Sequence, residues 1–220
     1  DHRDLHSFPT RRSSDLRVWQ SPYLFRIALW ILLANLVSTF FYLEQTRIVG
    51  ETLTDRTARV ALFARLDLAV SVLTILAQLF LTGRVMQRYG IGIAAAALPV
   101  WCAIGLVALA LSPTLFVIVS IMAIERAIAF ALSSPAVKVL YTVVEPEEKY
   151  KAQSFIDTVV FRGGDAASGW VFNTLGKAAG LSGGAIALLA IPASIVWLLL
   201  SLTLGRQLAE KQAKAATPDA

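Results

Sequence analysis

Six stretches of this chain are each about as long as a bilayer core is thick when wound as a helix, roughly 20 residues, and are mostly apolar. They run over 23–43, 60–81, 91–111, 114–144, 151–175 and 184–204. The third ends at the two-residue break Ser112-Pro113, and the fifth, KAQSFIDTVVFRGGDAASGWVFNTL, is the least apolar. Inside hydrocarbon every backbone N–H and C=O must find a partner within the protein, which leaves helices and closed barrels. A barrel would show alternating segments of about ten residues; these runs are continuous and twice as long. The expected fold class is therefore all-α, a polytopic membrane protein with six transmembrane helices. Composition agrees: 56% of residues are apolar and the mean hydropathy is +0.64. A net charge of +5 would suggest nucleic acid in a soluble chain. In one this apolar the expected partner is the lipid bilayer, with no nucleic acid.

The leader DHRDLHSFPTRRSSDL is of another kind. It has no apolar core of its own, as a secretory signal would, and it carries Asp1, Asp4 and Asp15, which a transit peptide would lack. Back-translated in frame, residues 1–16 resemble a common short-read sequencing adapter throughout. They are expected to be a non-native segment joined to a protein that starts near Arg17 and is cut at its N-terminus. The six-helix unit is then 17–211, with a polar, fraying tail over 212–220. Asp55 to Arg59 is placed at the start of the second helix, in the interface.

Lys and Arg in the short connections set the orientation. One side collects eight of them (Arg17, Arg84, Arg88, Lys149, Lys151, Arg206, Lys211, Lys214) and the other four (Arg47, Arg56, Arg59, Lys177). Both ends are expected to be cytoplasmic, in the inner membrane of a bacterium.

Ionisable residues inside the spans carry the functional information. Arg65 and Asp67 lie in the second span, Glu125, Arg126 and Lys138 in the fourth, and Asp157, Arg162 and Asp165 in the fifth. The five most central, Glu125, Arg126, Asp157, Arg162 and Asp165, would together cost roughly 12–17 kcal/mol facing lipid. That exceeds the whole stability of a typical domain, about 5–15 kcal/mol, so they are expected to face a bundle interior or a wet cavity and to pair. At about 100° per residue, Asp157, Arg162 and Asp165 share one side of their helix. Glu125 and Arg126 diverge and cannot aim at one partner, and Arg65 and Asp67 do not face each other. These eight residues are the expected substrate pathway, against the plainer alternative of ion pairs that lock helices together. Gly163-Gly164 is expected to weaken the fifth helix at mid-membrane, as at a carrier's binding site, or to admit a neighbouring helix closely. Pro135, in Ser133-Ser134-Pro135, is expected to kink the fourth.

Enzymatic chemistry finds no footing. The only histidines, His2 and His6, lie in the leader, and neither HExxH nor GxSxG occurs. Asp157 and Asp165 stand about 12 Å apart along a helix axis, too far to share a proton. The single cysteine, Cys102, sits in an apolar run and excludes an internal disulfide or cysteine metal cluster. No cofactor and no metal are expected.

After the second span comes GRVMQRYG, with Gly83, Arg88 and Gly90 at offsets 0, 5 and 7. This resembles the cytoplasmic loop motif of the major facilitator superfamily, which latches the cytoplasmic gate. Gln87 stands where that family has aspartate, so the charge-relay part of the latch is missing. YLEQTRIV (42–49), LDLAVSVLTILAQLFLTGR (66–84) and KVLYTVVEPEEKYKAQSFIDTVVFRGGD (138–165) resemble the C-terminal half of the ATP:ADP antiporter (nucleotide exchange) family, and more closely its bacterial major-facilitator relatives. The resemblance covers about 22–211. It implies one half of a twelve-helix major-facilitator fold, with a missing N-terminal six-helix half as partner. The cargo would be a small anionic solute such as ATP or ADP, met by Arg126, Lys138, Lys149, Lys151 and Arg162. Glu125, Asp157 and Asp165 would balance those cations between substrate visits. No GxxxxGK[ST] loop is present, as suits a secondary transporter working by alternating access rather than an ATPase. A non-transporting membrane scaffold or sensor on the same fold is the alternative.

Overall fold

The structure is a computed structural model that describes residues 21–178, 180 and 182–216, without the side chains of 147, 157, 177, 178 and 216. The leader 1–16 lies outside the described residues. Those that are described form helices and short connections, with no strand among them. We label the helices α1 (Pro22–Thr52), α2 (Arg56–Tyr89), α3 (Ile91–Leu111), α4 (Leu115–Val143), α5 (146–178) and α6 (Gly183–Ala216).

Five of the six expected spans, all but α5, are long and apolar enough to cross a membrane. The expected fifth span is helical, and α5 would reach about 50 Å at 1.5 Å per residue. It is not apolar enough to join the other five, because Lys149, Lys151, Asp157, Arg162 and Asp165 interrupt it.

Local chemistry fixes the ends. Ser21 caps α1 ahead of Pro22, whose missing N–H costs nothing in a first turn. The Asp55 carboxylate accepts the Thr57 and Ala58 N–H groups at 3.2 and 3.0 Å, so α2 begins where expected. Gly90, at φ +85°, is the only residue between α2 and α3, and that left-handed conformation favours glycine. The expected loop GRVMQRYG is thus a correction: Gly83 through Tyr89, Arg88 included, is the last part of α2, and Gly90 alone makes the turn. Of the expected tail, 212–216 continue α6 as helix rather than fraying, and 217–220 lie outside the described residues.

The helices form two layers. In front, α5 packs on α1, α1 on α4, and α4 on α2; behind, α6 lies against α1 and α3, and α3 also against α4. The back pair crosses at two glycines, where a Cβ on Gly92 would stand 2.9 Å from the Gly205 Cα. Such contacts suit a bilayer, where close backbone approach replaces the hydrophobic drive. The Trp30 and Trp197 rings meet edge to face at 5.4 Å, and Trp30 Nε1 donates to Ser201 Oγ at 2.8 Å, tying α1 to α6. In α2 only Leu66 and Val70 are buried up to the first π turn. The long exposed apolar row from Leu68 to Leu81 suits lipid or a partner.

Candidate functional site: a polar belt and cleft on the front layer

The described mid-span charges all lie on the front layer. From Ile91 to Leu111 in α3, and from Gly183 to Gly205 in α6, there is no charged residue. Two of the front charges meet α1 at one level. Ser38 Oγ donates to Glu125 Oε1 at 2.7 Å, and Thr39 Oγ1 donates to Asp165 Oδ1 at 3.3 Å. Adjacent hydroxyls on α1 therefore hold one carboxylate from α4 and one from α5. Glu125 is buried, at 4% exposure. Arg126 points to the other side of α4, as successive helical positions must, and pairs with Asp67 of α2 at 2.7 Å.

Arg65, Lys138 and Arg162 are exposed, and none has an ion-pair partner among the described residues. The side chain of Asp157 lies outside the described residues. Its expected phase with Arg162 and Asp165 needs correction, because Ile156–Phe161 is a π turn, wider than the α-helix assumed in counting 100° per residue.

The glycine pair does not break α5. The α-helix runs through Gly163 and Gly164. Gly164 lies under α1, where a Cβ would stand 3.1 Å from Leu32 Cδ1 and 3.2 Å from Asn35 Nδ2, while Gly163 faces open space. A glycine costs a helix about 1 kcal/mol, too little to interrupt one held by tertiary contacts. The irregularity is the π turn just before the pair, and Asn35 Nδ2 donates to the Phe161 carbonyl at its end, at 2.7 Å.

The same pattern recurs in α4, whose Ala129–Ser133 segment is also a π turn. Pro135 has no N–H to give the Ala131 carbonyl, and the Ser134 N–H reaches Ala129 instead of Phe130. Two carbonyls lose their helical donors. The Thr82 hydroxyl takes Ala131 at 2.7 Å and the Gln78 amide takes Phe130 at 3.3 Å, both from the π turn of α2.

Beside this turn a cleft of about 490 Å³ opens between α1, α4 and α5. Trp30, Phe130, Tyr141 and Phe161 give it aromatic walls, and Asn35, Ser38, Ser133 and Gln153 give it polar ones. Among the described side chains Lys138 is the only charged one in its lining. Ser133 is 3% exposed and its hydroxyl has no hydrogen-bond partner among the described residues, a costly state for a buried donor.

Sequence reasoning missed Asn35, Ser38 and Thr39, and named Ser133 only as part of the Ser133-Ser134-Pro135 kink. Asn35 and Ser38, three apart within an apolar run, were the available signal. Of the expected pathway residues, Lys138 lines the cleft and Glu125 reaches it through Ser38. Asp67, Arg126 and Asp165 extend the belt to either side, and Arg65 stands apart from both. The fold and site define an all-helical protein of the membrane-spanning class, with ionisable groups gathered on one layer. No protein-family model, no curated protein and no solved structure matches the chain.

Proposed function

We propose that this chain is one six-helix half of a secondary transporter that moves a small anionic solute by alternating access. The observation that supports the proposal is the cleft of about 490 Å³, in which Lys138 is the single charged wall residue among the described side chains. An ammonium meets an anion as a point charge, and aromatic and hydroxyl walls suit a planar, hydrogen-bonding body. That chemistry accommodates a nucleotide such as ATP or ADP, in keeping with the resemblance to nucleotide-exchange carriers. The chain ends add support for six passes. Lys211 Nζ near the end of α6 lies 5.1 Å over the Tyr23 ring at the start of α1. Five passes alone would leave these ends on opposite faces of a membrane, and α5 supplies the sixth. The exposed faces of α2 and α5 would then receive the other six-helix half, and both ends would face the cytoplasm of a bacterium.

A scaffold or sensor that does not transport is the second reading, favoured by the Asp67–Arg126 pair, which occupies a cation that would otherwise be open to an anion. Counterflow of labelled ADP against internal ATP, in vesicles holding the protein together with its N-terminal half, separates the two. A carrier exchanges, and Lys138→Gln lowers the rate at least about tenfold, the loss of one charge-assisted contact. No uptake of nucleotides or of any of a panel of small anions leaves the scaffold.

A further inference from the structure

Away from the belt, at the end of the bundle where α1 starts and α6 finishes, a second cleft of about 410 Å³ lies between the two helices. From α1 it is lined by Tyr23 and Arg26, one turn apart, and from α6 by Glu210, Lys211 and Lys214. Among the described residues three cations line it against one carboxylate, and no ion pair joins Glu210 to any of the three. The floor is fixed: Tyr23 is buried, its hydroxyl donates to the Leu140 carbonyl at 2.7 Å, and Lys211 lies over its ring. Arg26 is half-buried one turn inside the apolar stretch of α1, where an arginine reaches outward to headgroup level. Three cations against one carboxylate in a concave site fit an anion, and a site at the ends of two helices of membrane-spanning length suits one at headgroup level.

We propose that this cleft binds the phosphate of one anionic phospholipid, the headgroup seated between Arg26 of α1 and Lys211 and Lys214 of α6. The proposal does not depend on transport. Bound there, the lipid bridges the first and last helices and stabilises the bundle.

The test uses the full chain in phosphatidylcholine bicelles titrated with phosphatidylglycerol, with melting followed by tryptophan fluorescence. Phosphatidylglycerol should raise the Tm by about 2–6 °C and saturate. Lys211→Gln/Lys214→Gln should lose that rise, as should Arg26→Gln alone. Arg84→Gln/Arg206→Gln, which removes the same charge outside the cleft, should keep it. Because the readout is the lipid-dependent rise, a lower starting Tm in a variant does not confuse it. The proposal is overturned if the rise survives the Lys211/Lys214 change, or if the Arg84/Arg206 change abolishes it equally, which would mean a diffuse surface attraction. It is also overturned if inorganic phosphate reproduces the rise in phosphatidylcholine alone, which would assign the cleft to a soluble anion.

Discussion

The Asp67–Arg126 pair decides whether the front layer faces water or lipid. Its N–O distance is 2.7 Å, and the side chains are 63% and 40% exposed within the bundle. With charge centres about 4 Å apart, the attraction is about 1 kcal/mol in water and about 4 kcal/mol at an effective dielectric of 20. If the layer lines a wet interface, Asp67→Asn and Arg126→Gln should each cost less than about 1 kcal/mol, and the double-mutant coupling should fall within about 0.2–1 kcal/mol. In hydrocarbon each single change would instead strand a mid-span charge at about 2.5–3.5 kcal/mol, and the double change would recover most of it. Equilibrium unfolding of the four proteins in mixed micelles, repeated at low and high salt, measures both quantities. A coupling above about 2 kcal/mol that salt does not weaken would refute the wet interface, and with it the carrier.

Three further substitutions probe the frame. Gly205→Leu should destabilise by about 1–3 kcal/mol or more in the same unfolding assay, because a side chain there meets the backbone of Gly92 rather than a movable group. Asp55→Ala should cost about 1 kcal/mol by leaving the first turn of α2 uncapped, and Asp55→Ser should restore most of it. Thr82→Val should cost about 1–3 kcal/mol, since the Ala131 carbonyl loses its hydroxyl donor. Pro135→Ala, which returns an N–H to that carbonyl, should shrink the Thr82→Val penalty.

The spans were legible because apolar runs bounded by breakers leave little choice. The third helix matches its expected bounds, 91–111, since Gly90 and Ser112-Pro113 stop it at both ends. The first runs on from 43 to Thr52 because Arg47 pairs with Glu44 and Glu51 at helical spacing, so a stretch that looks polar in sequence remains helix. Divergence of Glu125 and Arg126 follows from adjacency alone. Their partners do not, because Ser38 and Asp67 are chosen by the register between helices, which no single helix encodes. The π turns were illegible for a similar reason. They persist where a neighbouring helix offers Gln78, Thr82 or Asn35 to a freed carbonyl, so their cause lies on another segment of the chain.

That division of labour bears on function. Asn35, Gln78 and Thr82 are polar groups inside spans, yet each is committed to a backbone carbonyl on a neighbour. Ser38 and Thr39 are committed to Glu125 and Asp165, and Arg126 to Asp67. By sequence the front layer holds four mid-span cations (Arg65, Arg126, Lys138, Arg162) and four acids (Asp67, Glu125, Asp157, Asp165). Net charge therefore cannot draw an anion to it; position must. Two of the acids are held by hydroxyls of α1 and a third by Arg126, while Lys138 opens into a cleft whose other described wall side chains are uncharged. Moving the charge of Lys138 four residues along α4, as Lys138→Gln/Thr142→Lys, preserves the count and removes the placement. Under the placement argument that variant should fail in counterflow as completely as Lys138→Gln. If it exchanges normally, the field of the whole layer, and not this cleft, selects the solute.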